Sequence, residues 1–163
     1  ELGLANEMAI NQFIAHHSVI FKPEERLMWV STAPWQSGKF VCYDLNEVFD
    51  SEACLSCGAE TFWRTIPEDS LIYKPEFANL LKYKELTPLI RKYTLNGEVA
   101  NDSIIDIYRQ SNPNMFYTYE VLGDYYWSQK NTANARECWE KALTLPIPKQ
   151  GEKERITKKL NKK

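Results

Sequence analysis

Long apolar runs and a strong charge imbalance are both missing from this sequence of 163 residues. No apolar run approaches the roughly 20 residues that a membrane-spanning helix needs, so we expect no span. The net charge of −2 argues against a general nucleic-acid-binding protein, which would carry a basic surface. A substantial core is nevertheless expected, because 44% of the residues are hydrophobic and 13% are aromatic.

The residues that support metal and redox chemistry are also scarce. Cys54 and Cys57 form a lone C-x-x-C, whereas a zinc site would need a second pair at comparable spacing. A redox C-x-x-C follows a strand and opens a helix, but the flanking residues here are typical of a loop. We therefore expect free cysteines without a role, with a local disulfide as the alternative, and we predict no metal site and no cofactor.

The first fifty residues have the pattern of an antiparallel β-meander. Three runs rich in β-branched and aromatic residues, at 13–21, 27–32 and 39–44, are separated by Pro-containing turns. Both alternating faces of each run are largely apolar, which predicts a sheet that is covered on both sides. A three-stranded sheet alone is marginally stable, so we expect the later helices and a missing partner to supply that cover.

From about residue 75 the apolar spacing becomes helical. The pattern predicts helices at 75–93, 102–110, 115–129, 132–144 and 151–161. Pro88 lies inside the first helix and predicts a kink or a split. Asn96 and Gly97 are expected to end that helix, and Asn101 or Asp102 is expected to cap the next.

The end of the chain forms a basic tail on an acidic body. Residues 149–163 hold seven Lys or Arg and two Glu, a net +5, which leaves −7 for the rest of the chain. A tail of this kind can bind anionic surfaces. A solvated last helix is the commoner case, and it is the one expected here.

Residues 116–146 resemble a tetratricopeptide repeat, a helical hairpin with a fixed pattern of large and small residues. The positions that support the resemblance are Tyr119, Leu122, Gly123, Tyr126, Ala135, Trp139, Ala142 and Pro146. In this motif the small residues let two helices approach, and the aromatics fill the gap between them. One repeat is not stable alone, so the resemblance implies that the two preceding helices stack beneath it and that the last helix caps the stack.

The resemblance also implies a groove on the concave face of the hairpin's first helix. The residues mapped to that face are Tyr117, Glu120, Val121, Asp124 and Trp127. Known peptide-binding repeats place Lys and Asn there to hold a terminal carboxylate, which Glu120 and Asp124 would repel. The candidate ligand is therefore a basic partner, including the chain's own Lys-rich end. A purely structural stack is the interpretation that we favour.

Residues 9–49 resemble the C-terminal end of the catalytic domain of the isopenicillin N acyltransferase-like group of N-terminal-nucleophile (Ntn) hydrolases. The resemblance rests on Ile10-Asn11-Gln12, residues 17–21, the turn at 23–26, Trp29-Val30-Ser31 and residues 40–45. It implies an αββα sandwich. In this group, which is related to penicillin acylases and choloylglycine hydrolases, a precursor undergoes autoproteolysis before a Cys. That Cys then attacks an amide or thioester carbonyl, with its own α-amine as the base.

The nucleophile that this mechanism requires is absent from the sequence. The chain opens on Glu1, without an initiator Met or a signal peptide, and none of its four cysteines is N-terminal. We therefore expect residue 1 to follow a processing site, a proteolytic cut or an engineered start, and we predict no catalytic residue here. His16, His17 and Trp35 are the candidate lining of an acyl pocket, and packing within the domain is the alternative for each.

The sequence as a whole predicts an α+β protein: antiparallel strands, part of an αββα sandwich, followed by a C-terminal tetratricopeptide-like hairpin stack. The predicted division is 1–49 for the strands, 50–74 for a connector and 75–163 for the helical domain. The predicted function is that of a C-terminal fragment of an amide hydrolase or acyltransferase, and the alternative is a non-catalytic protein-interaction module. The expected partners are the upstream catalytic segment and a peptide or protein at the repeat. The family resemblance favours an extracytoplasmic location.

Overall fold

The structure is a computed structural model that describes residues 2–9, 13, 15–49 and 64–161. The chain forms two compact units: one contains Glu1–Ile10 and Pro75–Lys163, and the other spans Asn11–Lys74. The predicted α+β class is confirmed, because a three-stranded antiparallel sheet is followed by several helices.

The strand unit is an antiparallel meander. Its strands, in the spatial order β1-β2-β3, are β1 (Val19–Lys22), β2 (Leu27–Ser31) and β3 (Phe40–Asp44). A 3-10 turn at Pro23–Glu25 joins the first two strands, and Arg26 follows it in the left-handed region with φ of 53°. This turn sets Lys22 opposite Leu27 and so fixes the register of the pair.

β1 is shorter than the sequence predicts. The apolar pattern predicts a strand over 13–21, whereas paired backbone begins only at Val19. β2 ends at Ser31, so the register offers no partner beyond Ser18, whose carbonyl accepts the Ser31 N–H at 3.0 Å. His16 and His17 therefore precede the sheet, and the prediction that places them on alternating faces of a strand is wrong.

The two-sided cover that the strand pattern predicts does not extend to β1. Leu27 on β2 and Cys42 on β3 are buried, whereas every residue of β1 is exposed. Val19, Ile20 and Phe21 expose 41%, 44% and 62% of their surface. β1 lies at one end of the sheet order, and none of the strands in the described residues pairs with its outer side.

The edge of the sheet opposite β1, formed by β3, has additional contacts with the chain near residue 66. Phe40 of β3 exchanges two backbone hydrogen bonds with Ile66, at 2.9 and 3.0 Å. The Trp29 indole N–H donates to the Arg64 carbonyl at 2.8 Å. A short helix, α1 (Leu45–Val48), follows β3 directly, and a 3-10 turn at Ser70–Tyr73 precedes the helical unit.

Five further helices lie within residues 64–161. They are α2 (Pro75–Asn96), α3 (Asp102–Ser111), α4 (Phe116–Ser128), α5 (Thr132–Leu143) and α6 (Gln150–Leu160). Their positions follow the sequence periodicity, but α2 is not split, because it continues through Pro88. Gly97 follows α2 with φ of 68°, and the Asn101 side chain caps α3 by accepting the Ser103 N–H at 2.9 Å.

Helices α4 and α5 form a close hairpin around Trp139. This side chain exposes only 1% of its surface, and its ring lies 5.6 Å from that of Trp127. Gly123 permits the close approach, because a Cβ at that position would lie 2.3 Å from the Trp139 Nε1. Ala135 and Ala142 of α5 are fully buried in the same cluster.

Residues 2–9 pack with the helices, although the sequence-based division assigns them to the strands. The Leu4 N–H donates to the Asn112 side chain at 3.2 Å, and the Asn112 amide donates back to the Leu4 carbonyl at 2.8 Å. The Asn6 amide donates to the Pro146 carbonyl at 3.0 Å. Side-chain amides thus hold this segment to the loops of the helical unit.

Candidate functional site

A buried carboxylate on α4 is paired with two basic side chains of α6. The Glu120 side chain is only 3% exposed. Arg155 donates from Nε and from one Nη to the two carboxylate oxygens of Glu120, at 2.7 and 2.8 Å. The Lys159 ammonium adds a third hydrogen bond at 2.7 Å. Bidentate hydrogen bonds between an arginine and a carboxylate are among the stronger polar interactions in proteins.

Asp124, one helical turn along α4, extends this network. Lys159 also donates to Oδ2 of Asp124 at 2.7 Å, and the Trp139 indole N–H donates to Oδ1 at 3.3 Å. Lys159 therefore bridges both carboxylates, and its side chain is 17% exposed. The basic groups that bind Glu120 and Asp124 come from the chain's own Lys-rich end. This segment is one of the basic ligands that the sequence indicates as candidates.

The network sets the charge state of Glu120. Burial favours the neutral carboxyl, but the hydrogen bonds from Arg155 and Lys159 outweigh it and lower the pKa of Glu120 below its ordinary value of 4.5. The hydrogen bond to Glu120 likewise raises the pKa of Arg155. The buried ion is tolerated because each of its oxygens has a cationic donor.

The same pairing explains the uneven charge of the sequence. Lys149, at the start of the basic tail, forms an ion pair with Glu7 near the other terminus. Arg155 and Lys159 are paired with the acidic residues of α4. Three of the seven basic residues of the tail are therefore paired with carboxylates within the helical unit.

A cleft of about 390 Å³ lies beside the network, between α2, α4 and α6. Four of the five predicted groove residues line this cleft: Tyr117, Glu120, Val121 and Asp124. Trp127 is not part of the lining and packs against Trp139 instead. The two carboxylates do not form an open acidic surface, because α6 already supplies their partners.

The pocket residues predicted in the strand unit have different environments. His16 and His17 are exposed ahead of β1. Trp35 is half-buried in a 3-10 turn and packs edge-to-face on Phe13, with ring centroids 6.3 Å apart. The aromatic contact fits the packing alternative for Trp35.

Sequence reasoning missed a polar cluster around Ser18. The Ser18 hydroxyl donates to Oε1 of Gln36 at 2.7 Å, and the Ser18 N–H donates to Oγ of Ser31 at 2.8 Å. Gln36 and Ser31 are both buried. No local pattern predicts this pairing, because it depends on the 3-10 turn that brings Gln36 back to the end of β1.

The C-x-x-C of Cys54 and Cys57 lies outside the described residues. Within the described ranges, no group of three or more His, Cys, Asp or Glu is placed to hold a metal ion. Cys42 and Cys138 are both buried and neither forms a disulfide, and burial raises the pKa of the Cys138 thiol to about 11. No helix in these ranges is both long and apolar enough to cross a membrane.

Known proteins give no further guidance to the site. No family model, curated protein or solved structure matches this chain.

Proposed function

We propose that this chain is the C-terminal part of a cysteine Ntn hydrolase or acyltransferase. It would complete the fold of that enzyme without supplying the nucleophile. The substrates would be amides or acyl conjugates, such as acylated amino acids, bile-acid conjugates or β-lactams. The support is the residue resemblance over 9–49 together with one structural observation, the exposed apolar edge at β1.

β1 has the composition of an interior strand although it lies at an edge. Soluble proteins usually protect edge strands with charges, proline or bulges. β1 instead exposes three consecutive apolar residues, Val19, Ile20 and Phe21. Because Ser18 is hydrogen-bonded to β2, the alternating pattern of an antiparallel pair turns the backbone groups of Val19 and Phe21 outward. A strand from the upstream segment would pair with these groups and cover the apolar side chains.

We expect residues 1–163, expressed alone, to self-associate through β1. Phe21→Lys places a charge on the edge and should shift the protein toward monomer in sedimentation velocity, with several-fold weaker binding of a hydrophobic dye. Leu95→Lys is the matched control, because Leu95 on α2 is 84% exposed and should not affect the association. A monomeric chain that unfolds cooperatively and binds no dye would count against the proposal.

A second candidate is a non-catalytic interaction module built on a tetratricopeptide-like hairpin. The observation that favours it is the packing of α4 against α5, where Gly123, Ala135 and Ala142 make room for Trp139. These residue types suit the positions that the motif assigns to them. The two functions differ in their requirements: the enzyme needs an upstream segment with a processed Cys, whereas the module must fold and bind as residues 1–163 alone.

A further inference from the structure

A second and larger depression lies on the helical unit between α3, α4 and α5, with a volume of about 820 Å³. We call it the tyrosine groove, because the half-buried rings of Tyr119 and Tyr126 project into it from α4. Its volume falls in the range of about 300–1,000 Å³ that is usual for ligand sites. The proposed enzymatic function makes no use of it.

The walls of the tyrosine groove are acidic. Its charged lining consists of four carboxylates and two cations: Asp102, Asp106, Glu137, Glu140, Arg109 and Lys141. Asp106 is paired with Arg109 at 3.8 Å, and the other three carboxylates have no ion pair with any described residue. The groove therefore has an excess of negative charge, and most of that charge is not neutralised by neighbouring cations. Glu120 and Asp124, by contrast, are paired with cations of α6.

The tyrosines of the groove already contact cationic groups. Arg109 donates to the Tyr126 hydroxyl at 3.2 Å, and the Lys141 ammonium lies 6.0 Å from the centroid of the Tyr119 ring. Aromatic ring faces attract Lys and Arg because their surface is electron-rich. The Tyr119 hydroxyl makes no hydrogen bond with a described residue, so it remains available to a ligand.

We infer that the tyrosine groove binds a basic peptide segment of another protein. Lys or Arg side chains of that segment would lie over the tyrosine rings and pair with the unpaired carboxylates of α3 and α5. The charge excess disfavours an anionic ligand, and the polar walls disfavour a purely apolar one. The inference stands apart from the proposed enzymatic function, because either an enzyme fragment or an interaction module could use this face.

The test is fluorescence anisotropy on the full chain with two labelled peptides, one alternating Arg with Gly and the other alternating Glu with Gly. The Arg peptide should bind and weaken as salt is raised, and the Glu peptide should not bind. The double variant Glu137→Gln/Glu140→Gln should weaken binding of the Arg peptide roughly tenfold. Glu85→Gln, an exposed acid on α2 outside the groove, should leave binding unchanged.

Lys141→Gln gives the sharpest outcome, because it removes a cation that competes for the Tyr119 ring. Binding of the Arg peptide should tighten roughly threefold. All these substitutions are at exposed positions, so circular dichroism should show an unchanged fold. The inference is overturned if the Arg peptide does not bind at low salt, if Glu85→Gln weakens binding as much as the groove variant, or if Lys141→Gln weakens binding.

Discussion

Replacing Trp139 by Ala is expected to lower the free energy of unfolding of the helical unit by about 3–5 kcal/mol. Trp139 exposes 1% of its surface, and it fills the space between Gly123 on α4 and its own helix α5. Truncation would leave a cavity against Trp127 and remove the hydrogen bond to Asp124. Chemical denaturation of the full chain, followed by far-ultraviolet circular dichroism, measures the loss.

Two further substitutions calibrate that result. Trp139→Phe should cost less than the alanine substitution, because a ring remains in the same space. Leu95→Ala, at a residue with 84% exposure, should change the free energy of unfolding by less than about 0.5 kcal/mol. A loss near zero for Trp139→Ala would mean that this residue is not the centre of the α4–α5 hairpin, and the tetratricopeptide-like proposal would fail with it.

Removing both cations that hold Glu120 should have an effect of similar size. The double variant Arg155→Met/Lys159→Met would leave a carboxylate that is only 3% exposed without a cationic partner. Breaking a buried ion pair from one side typically costs about 3–5 kcal/mol. Adding Glu120→Met to the double variant should restore most of the stability, because the isolated buried charge is then gone. No recovery in the triple variant would show that the isolated buried charge is not the cause of the loss.

The Glu120 network also predicts an acid dependence of stability. The folded pKa of Glu120 lies below its ordinary value of 4.5, so its contribution is fully present above that value and is lost as pH falls through the folded pKa. Between about pH 7 and about pH 3, the free energy of unfolding should therefore fall more steeply in the unmodified chain than in Glu120→Gln. Equal slopes would contradict the ion pairing.

The helices could be predicted closely because their limits are encoded locally. Asn101 caps α3 with its own side chain, and Gly97 supplies the left-handed residue after α2. The strand at β1 could not be predicted in the same way. Its length is fixed by where β2 ends at Ser31, a property of the partner strand and not of the pattern over 13–21.

The candidate site was predictable only in part. The spacing of Glu120 and Asp124 places both on one face of α4, which the sequence shows directly. Which cations meet them depends on how α6 returns across α4: Arg155 lies 35 residues from Glu120 along the chain. The sequence predicts Trp127 in the same groove, but its ring instead contacts Trp139, whose indole fills the space left by Gly123 on α4.

Intact-mass spectrometry of the native, purified protein tests the central claim most directly. We predict a polypeptide that begins with Cys and either continues into this sequence or co-purifies with it in equal amount, as autoproteolysis of an Ntn hydrolase precursor would produce. A single species of 163 residues that stays a soluble monomer would contradict the enzymatic proposal. A binding or structural module would then be the better description of this chain.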